Sequence, residues 1–108
     1  MTDLNNQEWQ EKIAQDTDAV IIDVRTNEEV SEGHLPNALH FDIYGGQQFL
    51  DSVKELDPNK NYYVYCRSGG RSAQACAVMQ SVGIANTYNL IGGFSEWDGQ
   101  VSNELCKN

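Results

Sequence analysis

Cys66 stands between an apolar run and a glycine turn, in Tyr62-Tyr63-Val64-Tyr65-Cys66-Arg67-Ser68-Gly69-Gly70-Arg71-Ser72-Ala73. The run before it is β-prone, and the segment from Ala73 to Gln80 is helix-forming. A thiol placed where a strand ends and a helix begins meets converging backbone N–H groups and the positive end of the helix dipole. Such surroundings bring a cysteine pKa from about 8.5 down to roughly 3.5–7.5, a thiolate at neutral pH. The chemistry suggested is nucleophilic attack from inside an anion-binding cradle.

The cradle follows residue by residue. Gly69 and Gly70 lack a Cβ, so the backbone can take left-handed angles and turn its N–H groups inward. Arg67 and Arg71 are two of three arginines in a chain of formal net charge −9, and they fall beside the thiol. Two cations there reverse the local sign and draw anionic substrates to this point. Ser68 and Ser72 add hydroxyl donors, and either could serve instead as a helix N-cap. The alternative is a buried structural cysteine, but an inert thiol has no use for flanking arginines.

These residues carry a resemblance. Cys66-Arg67-Ser68-Gly69-Gly70-Arg71-Ser72 resembles the active-site loop of the rhodanese family of sulfurtransferases. Ile21-Ile22-Asp23-Val24-Arg25, followed by Glu28 and Glu29, is similar to that family's first strand and its Asp-Val-Arg motif. Gly33-His34-Leu35-Pro36-Asn37-Ala38 resembles the pattern Gly-His-Ile-Pro-Gly-Ala, with Asn37 for the second glycine. Asparagine tolerates left-handed angles, so the departure is mild. Leu90-Ile91-Gly92-Gly93-Phe94-Ser95-Glu96-Trp97 is similar to the closing Gly-Gly-x-x-x-Trp segment. The four segments run in the family's order from about Ala19 to Trp97.

The resemblance implies a mechanism. The Cys66 thiolate would take the outer sulfur of a donor such as thiosulfate, become a persulfide, and pass that sulfur to cyanide or to a thiol such as thioredoxin or glutathione. Arg67 and Arg71 would orient the anionic donor, and inward N–H groups of the Ser68, Gly69, Gly70 and Ser72 stretch would stabilise the charged sulfur. Asp23 and Arg25 would organise the fold near the loop through hydrogen bonds, and Asp23, at a strand's carboxyl end, would border the pocket. No cofactor beyond the covalent persulfide, and no metal, is expected.

Rival functions remain. Tyrosine phosphatases use C-x5-R, and rhodanese-like phosphatases and arsenate reductases resemble that longer loop. The C-x4-R spacing from Cys66 to Arg71 therefore favours sulfur over phosphate, although Asp42 or Asp23 could be proposed as a general acid. A regulatory rhodanese module is disfavoured by an intact cysteine. A sulfur carrier loaded with persulfide by a partner protein is the closer competitor.

The elements that must position Cys66 alternate along the chain. Asn5 and Glu8 resemble a capping box opening a helix that carries Trp9 and Ile13. Ala19 to Val24 reads as a strand buried on both faces, Ala38 to Phe41 as a short strand, and Gln47 to Leu56 as a helix closed by Asp57-Pro58-Asn59. Tyr62 to Tyr65 reads as the central strand, Gly83 as the end of the next helix, and Thr87 to Leu90 as the last strand before short helices. This predicts one α/β domain over residues 1–108, a mostly parallel sheet between helices, with its site at strand carboxyl ends.

Length and charge bound the rest. A chain of 108 residues fits a single domain with one core. The net charge of −9 argues against nucleic acid and anionic membrane partners, and no apolar stretch is long enough for a membrane helix. Met1 to Asn6 has neither a basic n-region nor an apolar core, so no signal peptide and a cytoplasmic location are expected. Three cysteines make a poor disulfide framework. Cys76 reads as a small buried side chain, Cys106 as an incidental tail thiol, and His34 as a structural hydrogen-bonding residue. Phe94 and Trp97 read as core residues.

Overall fold

The computed structural model describes residues 1–103. The chain runs β1 (Thr2–Leu4), α1 (Asn6–Ala14), β2 (Ala19–Asp23), α2 (Asn27–Ser31) and β3 (Leu39–His40). A 3-10 turn (Ile43–Gly45), α3 (Gln47–Lys54), β4 (Asn61–Tyr65), α4 (Gly70–Ser81), β5 (Asn86–Leu90) and a second 3-10 turn (Gly93–Glu96) follow. The strands form one parallel sheet in the order β1-β5-β4-β2-β3, which puts β4 at its centre. Parallel neighbours need crossovers, and the helices supply them. Among the described residues no helix is long and apolar enough to cross a membrane.

Burial on both faces explains the composition of β4. Tyr62, Val64 and Cys66 pack with Phe49, Val53, Ala75, Cys76 and Met79 beneath α3 and α4. Tyr63 and Tyr65 point the other way, into a second cluster with Trp9, Leu35 and Leu90. The period of two along a strand sends neighbouring side chains to opposite faces. Each tyrosine hydroxyl finds a partner as it is buried: the Asp57 carbonyl at 2.6 Å, Asp16 at 2.7 Å and Asp23 at 2.5 Å.

The capping box of Asn5 and Glu8 closes as expected. Three local expectations change. Helix α4 begins at Gly70, so Gly70, Arg71 and Ser72 form its first turn rather than a loop before it. Its N-cap is Gly69 at φ 110°, with no side-chain cap, so neither Ser68 nor Ser72 plays that part. Strand β1 and helix α2 add two elements to those expected from the sequence. The first is three residues that gain a ladder only against β5, and the second is a short helix opened by a capping box of Thr26 and Glu29.

Candidate active site

Strand β4 delivers Cys66 to the start of α4, and the residue is 1% exposed. Gly69, in its left-handed conformation, aims its N–H at the sulfur and donates to Sγ at 3.0 Å. Ser72 Oγ lies 3.4 Å from the same sulfur. Burial opposes ionisation here, yet the Ser72 hydroxyl and the N–H groups of Ser72, Gly69 and Ser68 outweigh it and hold the thiol below its ordinary pKa. The unpaired N–H groups of a helix start thus converge on one sulfur.

The carbonyls of this turn are held elsewhere. Phe94 N–H donates to the Cys66 carbonyl at 2.8 Å, and Ser95 N–H donates to the Arg67 carbonyl at 2.9 Å. Gly93 makes that approach possible, since a Cβ on it would come within 2.5 Å of both carbonyl oxygens. With the oxygens engaged by the 3-10 turn, N–H groups are what the turn presents to the sulfur.

The two arginines are not free cations. Both N–H prongs of Arg71 donate to Glu29 of α2, at 2.7 and 2.9 Å, and Arg67 Nε donates to the same carboxylate at 3.3 Å. The Arg71 side chain is 20% exposed and that of Arg67 is 60% exposed. Arg71, with Thr26 and Arg67 assisting against burial, holds the Glu29 carboxyl well below its usual range. Arg71 is itself raised by that pairing, and its guanidinium lies 5.8 Å from the Tyr44 ring. The local reversal of sign is therefore partly cancelled by the Glu29 carboxylate.

A family profile described as "Rhodanese-like domain" matches residues 6–100. The chain belongs to the rhodanese-like family. A Bacillus subtilis (strain 168) protein provisionally named sulfurtransferase YtwF is 37% identical over 91 residues, covering 84% of each chain. Thiosulfate sulfurtransferase GlpE of Pseudomonas syringae pv. syringae is 32% identical over 79 residues, covering 73% of this chain and 72% of that one. The crystal structure of a rhodanese-like domain protein from Staphylococcus aureus superposes with a TM-score of 0.84 at 28% identity, covering 97% of this chain and all of that one. Relatives named as sulfurtransferases place the rhodanese-like chain among sulfurtransferases at the level of the family.

Other residues singled out from the sequence take varied places in the rhodanese-like fold. Asp23 does not border the site: it is fully buried and bonded to Arg25 at 2.8 Å and to the Tyr65 hydroxyl, on the face opposite Cys66. Arg25 also donates to the Gly33 carbonyl at 2.7 Å and stacks 4.3 Å from the Phe94 ring, tying β2 to the turn that pins Cys66. Asp42 accepts from Tyr44 N–H in its own turn and Asp23 accepts from Arg25 and Tyr65, so both rival general acids are engaged. His34 Nδ1 lies 2.9 Å from the Leu35 carbonyl. Cys76 is buried, and burial pushes its thiol up to about 11 against a hydrogen bond from Thr87. Cys106 lies outside the described residues. Besides Glu29, the site contains Asn89 of β5, whose Oδ1 is 2.5 Å from Ser72 Oγ. No local pattern marks Asn89, whereas Glu29 had a signal in the spacing Thr26-x-x-Glu29.

Proposed function

We propose that this protein is a thiosulfate sulfurtransferase in which Cys66 carries sulfane sulfur as a persulfide and no further cofactor takes part. The observation that carries the proposal is the ring of donors around a buried sulfur, with Gly69 N–H at 3.0 Å and Ser72 Oγ at 3.4 Å. In the first displacement the thiolate forms a bond to the outer sulfur of thiosulfate. The donor's S–S bond breaks, and sulfite leaves with the electron pair. In the second, cyanide or a thiolate such as that of thioredoxin or glutathione attacks the outer sulfur, and Cys66 leaves as thiolate. Neither step needs a net oxidant or reductant. Each persulfide charge would sit where N–H groups already point, as in an oxyanion hole.

Arg67 and Arg71, with Ser68, Gly69 and Gly70, would form the rim that receives the donor, and Ser72 would serve the sulfur from the buried side. The Glu29 pairing favours a second reading, in which a persulfide on a partner protein loads Cys66. Such a donor relies less on free cations than thiosulfate does, and the protein would then act as a sulfur carrier. Intact mass after mixing reduced protein with thiosulfate, followed by peptide mapping, tests the first reading. A gain of one sulfur on Cys66, removed by cyanide or thiol, is expected. Without that gain, a small persulfide such as glutathione persulfide is tried next, and no loading from either overturns both readings.

A further inference from the structure

The Ser72 hydroxyl carries one proton and has three acceptors around it: Asn89 Oδ1 at 2.5 Å, the Gly69 carbonyl at 3.2 Å and Cys66 Sγ at 3.4 Å. It can serve one of them well. The orientation of Asn89 is fixed from behind. Its Nδ2 donates to Asp3 Oδ1 at 3.1 Å and toward the Gly69 carbonyl at 3.4 Å. Both of those partners accept only, so the amide nitrogen must face them and the oxygen must face Ser72. The register supports this placement, with Asp3 of β1 beside Asn89 of β5 and Asn89 beside Val64 of β4. Ser72 is fully buried and Asn89 is 6% exposed, so water offers little substitute.

We propose that Asn89 is a positioning residue that competes with the Cys66 sulfur for the Ser72 proton, taking that hydrogen bond when the sulfur is neutral and yielding it when the sulfur is charged. The proton stays on Ser72 Oγ throughout, and only its direction changes. With the bond on Asn89, a Ser72 lone pair is available to the S–H of the thiol. With charge on sulfur, the hydroxyl rotates to Sγ, because hydrogen bonds to charged partners are the stronger ones. The edge strand thereby tunes the nucleophile through Asp3, Asn89 and Ser72 in sequence. Hydrogen-bond reach along that line sets the effect, and the charged or titratable groups nearby are otherwise Arg67, Arg71 with Glu29 and Tyr44, Cys76, and the Asp23–Arg25–Tyr65 group across the sheet.

This inference rests on Cys66 being the nucleophile, but its test reads ionisation of the thiol rather than sulfur transfer. The rate of Cys66 carbamidomethylation by iodoacetamide, followed by peptide mapping across pH, reports the thiol pKa. Asn89→Leu removes the competitor and is expected to lower that pKa by about one unit, while Ser72→Ala raises it by about one unit. The double variant is expected to match Ser72→Ala alone. An unchanged or raised midpoint in Asn89→Leu, or the same shift with Ser72 absent, would show that Asn89 acts only structurally and would overturn the proposal. Asn89→Ala gives the same readout if the leucine variant does not fold. Failure of persulfide loading, by contrast, would remove the proposed function and leave these pH midpoints as they are.

Discussion

Glu29 grips Arg71 through two parallel hydrogen bonds of 2.7 and 2.9 Å, joining α2 to the first turn of α4 across 42 residues of sequence. The same carboxylate accepts from Thr26 and from Arg67, so it closes a capping box and offsets part of the positive charge at the rim of the site. Glutamine at position 29 retains the capping box and removes the charge. Glu29→Gln is therefore expected to lower the Michaelis constant for thiosulfate about fivefold, as for ~1 kcal/mol of recovered attraction. Steady-state kinetics at fixed ionic strength measures it. An unchanged constant would mean that the arginines do not meet the donor.

The cysteines divide by environment. Cys66 sits among donors that hold its pKa down, whereas Cys76 lies on the buried face of α4 with its pKa pushed up to about 11. Cys66→Ser is expected to abolish persulfide formation, and Cys76→Ser to keep most of it while costing about 1 kcal/mol for a buried hydroxyl whose polar neighbour is Thr87. Thiosulfate–cyanide turnover with urea unfolding of each variant checks both statements. Full turnover in the Cys66 variant would end the persulfide proposal.

The division between what was and was not legible has a physical basis. The path from Tyr62 through Cys66 to Gly83 reads from sequence because the apolar run, the glycines and the helix formers agree locally. Strand β1 is three residues, Thr2–Leu4, whose extended form exists only through pairing with β5, so no local period announces it. The partners of the arginines were equally hidden. Arg71 and Glu29 are distant in sequence, and only the crossover geometry brings α2 against α4. Asp23 stands at a strand end, a position that reads as bordering the site. The pleat instead sends Asp23 to the Tyr65 face, away from Cys66.

Stability should depend on pH through these same groups, with opposite signs. Glu29 has a folded pKa depressed below its ordinary 4.5. Its contribution is therefore full above that value and is lost as pH falls below it. Urea midpoints of wild type and Glu29→Gln are expected to differ most at neutral pH and to converge in acid. Cys76 is raised above its ordinary 9.0, so its contribution is full below that value and is lost as pH rises through about 11. Cys76→Ser should accordingly lose less stability than wild type on the alkaline side. A gap constant with pH in either pair would reject the corresponding assignment.

Two glycines near the sulfur should answer oppositely to alanine. Gly93 has φ 55°, and a Cβ there would lie 2.5 Å from the carbonyls of Cys66 and Arg67. Backbone cannot yield as a flexible side chain does, so the 3-10 turn must move away and release those carbonyls. Gly93→Ala is expected to cost about 1–3 kcal/mol. It should also let the Cys66 thiol pKa rise toward its ordinary value, since the turn no longer fixes the N–H groups around Sγ. Gly70 is the first residue of α4 and has open space where a Cβ would stand. Gly70→Ala should therefore stabilise the fold by about 0.4–1 kcal/mol through the unfolded chain's lost freedom. Urea unfolding of the two variants, with Cys66 alkylation across pH for Gly93→Ala, measures both effects. Equal stability changes in the two variants would show that the closing turn does not press on the Cys66 backbone.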